Sequence, residues 1–193
     1  MSSEKKDRWV VIGLGNPGGE YERTRHNIGA MVINELAARN SLRLSSHKSR
    51  ANVAEIRTES GNYLTLATLR CYMNESGGPT KSLTDFFKVR ANHLIIIHDE
   101  LDIAFQSIRI KSGGGDNGHN GLKSITSVLG SDYFRIRMGI GRPIGNQDPA
   151  DFVLKAFNSN ERAALPAFLE RGADAVLALV EDGLELAQGI FNK

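Results

Sequence analysis

The sequence predicts an α/β fold: a single domain in which a mixed, twisted β-sheet has helices packed on both faces. Three observations carry this. Strand-like and helix-like segments alternate along the whole chain. Two strand segments, Val10–Ile12 and Leu94–Ile97, are continuously apolar, as parallel strands covered on both faces are. Others, such as Phe134 to Ile140, alternate apolar and polar residues, as half-covered strands do. The chain has 193 residues and no internal repeat or linker, so residues 1–193 read as one domain, with residues 1–8 as a charged, flexible N-terminal tail.

Val10-Val11-Ile12 runs into glycines and is read as a buried strand. Gly13 to Gly19 is a loop built on the turn Asn16-Pro17-Gly18. Ile28, Met31, Val32 and Leu36 recur at helical spacing. Val53–Thr58 and Tyr63–Leu69 read as strands, and Gly61-Asn62 between them predicts a hairpin. Leu83, Phe86 and Phe87 mark a helix entered after Gly77-Gly78-Pro79. Leu94–Ile97 is the second buried strand and leads into His98-Asp99-Glu100.

Ile108 and Ile110 alternate with Arg109 and Lys111, the pattern of a half-exposed strand. A glycine-rich loop, residues 113–118, precedes a helix carrying Leu122, Ile125, Val128 and Leu129. The strand from Phe134 to Ile140 has one apolar face and one basic face, with Arg135 and Arg137 on the latter. A helix spans about 160–182, with Leu165, Phe168, Leu169, Val176 and Leu177 inward; Pro166 either kinks it or marks its first turn.

The bulk properties narrow the function classes. At 40% hydrophobic and 24% charged residues the chain reads as globular rather than disordered. Cys71 is the one cysteine, so no internal disulfide forms, which fits a reducing compartment. No apolar run approaches the ~20 residues of a membrane span, and no apolar leader opens the chain. The expectation is a cytoplasmic protein with no membrane contact. A net charge of +2 permits a nucleic-acid partner without requiring one.

Gly13-Leu14-Gly15-Asn16-Pro17-Gly18 satisfies the G-x-G-x-x-G pattern of dinucleotide sites. That site needs a helix starting inside the glycine turn, whereas the helical pattern here starts near His26. Glu35, at the distance of a ribose-binding acid, falls inside the helix pattern.

His26 alone reads as a helix-capping or surface histidine. Its company adds a second reading. Asp99 follows an all-apolar strand and so sits at a carboxyl end, where open α/β sheets bind ligands. It is placed to accept from one imidazole nitrogen and leave the other as a base. The plainer reading of His98-Asp99-Glu100-Leu101-Asp102 is a solvated acidic turn. A metal site is disfavoured, because a continuing strand turns His98 and Glu100 away from Asp99 and no ligand pair has zinc-like spacing. No serine occupies a G-x-S-x-G elbow and Cys71 has no base beside it, which favours an activated water over a covalent nucleophile.

Asn16, Asn74 and Asn120 lie in glycine-rich turns, where asparagine commonly serves the backbone. Together they offer neutral hydrogen bonds to a carbonyl or a peptide. Tyr21 and Tyr72 are core residues or stacking platforms. The basic residues Arg109, Lys111, Arg135 and Arg137 form either a solvated face or a phosphate clamp.

Four motifs then stand in order: Tyr21-x-x-Thr24-Arg25-His26-Asn27-x-Gly29, Tyr72-Met73-Asn74-x-Ser76-Gly77, His98-Asp99-Glu100-Leu101-Asp102 and Gly118-His119-Asn120-Gly121-Leu122. In these the chain resembles the bacterial peptidyl-tRNA hydrolases, which cleave the ester between peptide and tRNA when translation is abandoned. The resemblance runs from Val11 to Leu154. It implies His26 as general base, Asp99 as its orienting partner, and Asn16 as the residue that separates blocked from free aminoacyl-tRNA. It implies Tyr21, Tyr72, Met73, Asn74, His119 and Asn120 as substrate-contacting positions, and Lys111 with Arg137 as a clamp on the tRNA 5′ phosphate. It further implies peptidyl-tRNA as the nucleic-acid partner, no metal, no cofactor, no obligate protein partner and a monomer. Thr68-Leu69-Arg70 stands where the family has a Lys-Pro pair, and Asp116-Asn117 departs from the family's loop.

Overall fold

The computed structural model describes residues 6–193. In chain order the elements are β1 (Arg8–Gly13), α1 (Ile28–Arg39), β2 (Ser45–His47), β3 (Ala51–Arg57), β4 (Tyr63–Leu69), α2 (Gly77–Phe87) and β5 (Leu94–Glu100). They continue with β6 (Ile108–Ser112), α3 (Asn120–Leu129), β7 (Phe134–Gly139), α4 (Pro149–Val153), α5 (Ser159–Asp182) and α6 (Leu184–Phe191). The proposed tail falls mostly outside the described residues, and Arg8 already belongs to β1.

All seven strands form one sheet in the order β2-β3-β4-β1-β5-β7-β6. β4, β1, β5 and β7 run parallel, while β2, β3 and β6 are antiparallel to their neighbours. The apolar runs of β1 and β5 are central because both their faces need cover. Val11, Ile95 and Ile97 pack under α1 and α5; Val10, Ile12 and Ile96 pack on the other face with Leu83, Leu122 and Ile125 of α2 and α3. β3 and β4 form the expected hairpin, with Gly61 at φ +91° in its loop.

Several expectations are corrected. β5 does not end at Ile97 but continues through Glu100 with every residue buried, so His98-Asp99-Glu100 is not a solvated turn. Arg135 is not on a solvent face: the 113–118 loop folds over β7, and the buried guanidinium donates to the carbonyls of Gly114, at 2.6 Å, and Gly115. Pro166 lies inside α5, beyond its first turn, and Asn158 with Glu161 forms a capping box at the true start. α4 and α6 have no counterpart in the sequence reading.

α6 closes the β6 edge. The Asn192 carboxamide accepts from Ile110 N at 2.6 Å and donates to Ile110 O at 2.9 Å, pairing as a strand peptide would. Gln188 donates to the same carbonyl at 2.9 Å. Among the described residues no helix is long and apolar enough to cross a membrane.

Candidate active site

The site forms where β1 and β5 end. Gly13 and Gly29 let the first turn of α1 touch the sheet backbone: a Cβ on Gly13 would meet Gly29 O at 2.0 Å, and one on Gly29 would meet Ile97 O at 2.2 Å. Leu14 N donates to Ile97 O and Ala30 N to Leu14 O, which ties loop, helix and strand together. The glycines of the Gly13–Gly18 run thus serve backbone packing. α1 begins only at Ile28, and its first-turn amide Ala30 N is already spent on Leu14 O rather than left for a phosphate.

This approach carries His26, in the 3₁₀ turn Arg25–Asn27, to Asp99. His26 Nδ1 lies 2.9 Å from Oδ1 and 3.0 Å from Oδ2 of Asp99, across 73 positions of sequence. His119 reaches the same carboxylate, Nε2 to Oδ1 at 2.9 Å. Its Nδ1 caps α3, accepting from Gly121 N at 3.1 Å and Leu122 N at 3.4 Å. An acceptor Nδ1 fixes the proton on Nε2, so neutral His119 is a donor to Asp99. The Asp99 carboxylate orients His26 with Nδ1–H inward and leaves its Nε2 lone pair free.

The electrostatics follow from burial and these contacts. Burial favours a neutral Asp99, yet His26 and His119 overcome it and hold the carboxyl well below the usual carboxylate range. Burial likewise disfavours a charged His26, but the charge and hydrogen bond of Asp99 outweigh it and raise its pKa above the ordinary histidine value. His98, on the opposite side of the strand, is buried with Nδ1 2.7 Å from Asp99 O. Burial, with His119 and Arg135 nearby, lowers it to about 3, so it is neutral at pH 7.

His26, Asp99 and His119 also have ligand atoms within 4.8 Å of one another, a spacing open to a metal. The donor set fits one poorly. His119 Nε2 must keep its proton while Nδ1 caps the helix, and so it has no lone pair to give.

The pocket above this group has a volume of ≈ 490 Å³. Asn16, Tyr72, Met73, Asn74, His119 and Asn120 join His26 and Asp99 in its lining; Tyr21 does not, standing edge-on to Tyr72 at 6.5 Å. Asn16 is fixed on three sides. Its Oδ1 accepts from Met73 N at 2.8 Å, and its backbone N and O both pair with the Asn27 side chain at 2.9 Å. The Asn16 amide therefore offers its N–H₂ to a ligand.

Lys111 and Arg137 lie outside this pocket, on the face of β6 and β7 that also carries Arg135. Burial, with the charges of Arg137 and Arg135, pushes Lys111 below the ordinary lysine value. Arg137 pairs with Glu100 at 3.1 Å, and Asn117 joins Glu100 and Asp102 at 2.9 and 2.8 Å. Asn117, one of the departures from the family's loop, is thus a brace between that loop and the end of β5.

Sequence reasoning missed two roles. The first is His119 as a partner of Asp99; a histidine at a position where Ser, Thr, Asp or Asn is usual was its one signal. The second is Arg25. It is buried, pairs with Glu161 at 2.6 Å and donates to the carbonyls of Phe152, Lys155 and Ala156, with Phe152 under its guanidinium at 4.1 Å. It thereby holds α4, whose Pro149, Ala150 and Val153 wall the pocket, against the turn that carries His26.

Comparison with known proteins identifies the family. The family model described as peptidyl-tRNA hydrolase matches residues 10–193. The peptidyl-tRNA hydrolase of Frankia casuarinae is 55% identical over 185 residues, covering 95% of this chain and 93% of that protein. That of Streptomyces coelicolor is 52% identical over 189 residues, covering 95% and 94%. The crystal structure of peptidyl-tRNA hydrolase from Acinetobacter baumannii superposes with a TM-score of 0.89 at 32% identity, over 99% of this chain and 97% of that one. By sequence match and by fold, the chain belongs to the peptidyl-tRNA hydrolase family.

Proposed function

We propose that the protein hydrolyses the ester that joins a peptide to the terminal ribose of tRNA, in the cytoplasm and as a monomer. One observation carries the mechanism: His26 and His119 converge on Asp99, leaving His26 Nε2 free beside a pocket lined with asparagine amides. A water held by Nε2 attacks the ester carbonyl as its proton passes to His26. Asp99 stabilises the imidazolium that forms. The same proton then passes to the departing ribose oxygen, and the acid and alcohol are released. A positioned histidine base contributes about 10² to 10⁴ in rate.

Asn16, Asn74 and Asn120 supply neutral donors and acceptors. The amide of a peptidyl group satisfies them, whereas a free α-ammonium is left without its hydration, a mismatch that discriminates strongly. Asn16 has the clearest role, since Met73 N occupies its oxygen and leaves the N–H₂ for a substrate carbonyl. Lys111 and Arg137 form the phosphate clamp. Their placement supports this: both project from the same face of the paired strands β6 and β7, where a lysine and a forked guanidinium can meet one phosphate.

The test is release of the acyl group from N-acetyl-aminoacyl-tRNA and from unblocked aminoacyl-tRNA. Release from the first, little from the second, and loss of at least 10²-fold in His26→Ala are expected. Full activity in His26→Ala would refute the mechanism.

A further inference from the structure

A second cleft, of ≈ 950 Å³, opens on the α1 face of the sheet, over the end of β4 and the start of β3. Asn16 is common to its lining and to that of the catalytic pocket. The ridge between the two is the Asn16-Pro17 strap, which Asn27 holds through both backbone atoms of Asn16. Asn27 is the neighbour of His26, so one turn positions the catalytic base and the edge of this cleft.

The cleft is polar in a particular way. Asn34 of α1 and the paired Asn52 and Thr68 of β3 and β4 offer neutral donors and acceptors. Arg23, Arg43 and Arg70 outweigh the one carboxylate of the lining, Glu22, and none of the three is ion-paired within 4.0 Å among the described residues. Amides that pair with a backbone, beside cations that favour carboxylates, suit a polypeptide.

Topology selects the same occupant. The Lys111–Arg137 clamp lies on the α3 face at the β7–β6 flank, and the cleft lies on the α1 face at the β4–β3 flank. The reacting ester sits between them. A substrate whose phosphate polymer occupies the clamp flank must send its other half toward the cleft. We infer that this cleft is a subsite for the peptide part of peptidyl-tRNA, taking the residues upstream of the esterified one and favouring acidic side chains. The inference rests on the activity proposed above.

The test compares N-acetyl-aminoacyl-tRNA, too short to cross the strap, with tRNA carrying about six residues, which reach roughly 20 Å when extended. Asn34→Trp fills the cleft from an exposed helix position. It is expected to lower kcat/KM about tenfold on the long substrate, a 1.4 kcal/mol effect, and to leave the short one within about twofold. Arg70→Glu is expected to reverse the preference between long substrates with acidic and basic peptides. Equal losses on both substrates would mean that the cleft takes the RNA end, and no loss on either would mean that it takes nothing; both overturn the subsite. If the unaltered protein cleaves neither substrate, the activity itself is wrong and the subsite goes with it.

Discussion

Gly29 presses against the carbonyl of Ile97 with no room for a side chain, since a Cβ would stand 2.2 Å from the oxygen. Gly29→Ala must therefore lift the first turn of α1 away from β5. Overpacking of this kind costs about 1–3 kcal/mol of stability. Because the 3₁₀ turn that carries His26 runs directly into this first turn of α1, a shift of ~1 Å is expected to cost about 10² in kcat. Unchanged melting and unchanged kcat in this variant would show that the helix tolerates the methyl and that the contact does not set the His26–Asp99 distance.

Asp99 raises the pKa of His26 against the opposing effect of burial. The acid limb of kcat/KM, which reports protonation of the base, is expected above the ordinary histidine value of 6.5. In Asp99→Asn the charge is gone and burial remains, so the limb moves to lower pH while the maximal rate falls. A limb that stays put or rises in that variant excludes His26 as the titrating base.

His98 makes stability sensitive to acid. Its folded pKa of about 3 against 6.5 in the unfolded chain means that only the unfolded chain binds this proton between those values. Stability from His98 is complete above pH 6.5, falls as pH drops, and levels off near 3, for a total on the order of 5 kcal/mol. His26 has the opposite sign: its pKa is raised, so its contribution is full below 6.5 and is lost as pH rises through the folded value. Urea midpoints measured from pH 7.5 down to about 4 are expected to fall less steeply in His98→Asn. Parallel slopes for the two proteins would count against a neutral buried His98.

Arg25→Ala leaves Glu161 without its partner and frees three carbonyls of residues 152–156. Breaking a buried pair from one side costs about 3–5 kcal/mol. Hydrogen exchange is expected to rise first in residues 149–157, and KM to rise with it, because α4 walls the pocket. Arg25→Lys keeps the charge but not the forked donors, so it is expected to recover only part of the loss. Full recovery by lysine would assign the effect to charge alone.

Much of this was readable along the chain. The apolar runs at Val10–Ile12 and Leu94–Ile97 identify the central strands because burial on both faces leaves no alternation. Asp99 was assignable to a ligand-binding strand end for the same reason, and the His26–Asp99 pair followed from it. Arg135 was misread because alternation with Phe134 and Ile136 looks the same whether solvent or a loop covers the polar face; the cover comes from residues 113–118, far away in sequence. The contact of His119 with Asp99 escaped because capping two residues onward and reaching back to the carboxylate depends on where α3 begins, to within one residue. α4 is five residues long and α6 eight, too short for periodicity to register against their surroundings.

The carboxamide of Asn192 has a consequence away from the site. A sheet that ended at a bare β6 would offer its unpaired amides and carbonyls to any extended chain, including another copy of itself. Here a single side chain, held by α6, occupies the place at Ile110 where an incoming strand would first register. Loosening α6 would leave the contacts of His26 and Asp99 untouched and would instead open β6 as a template for strand addition. The penalty for damage there is read in solubility and light scattering rather than in turnover.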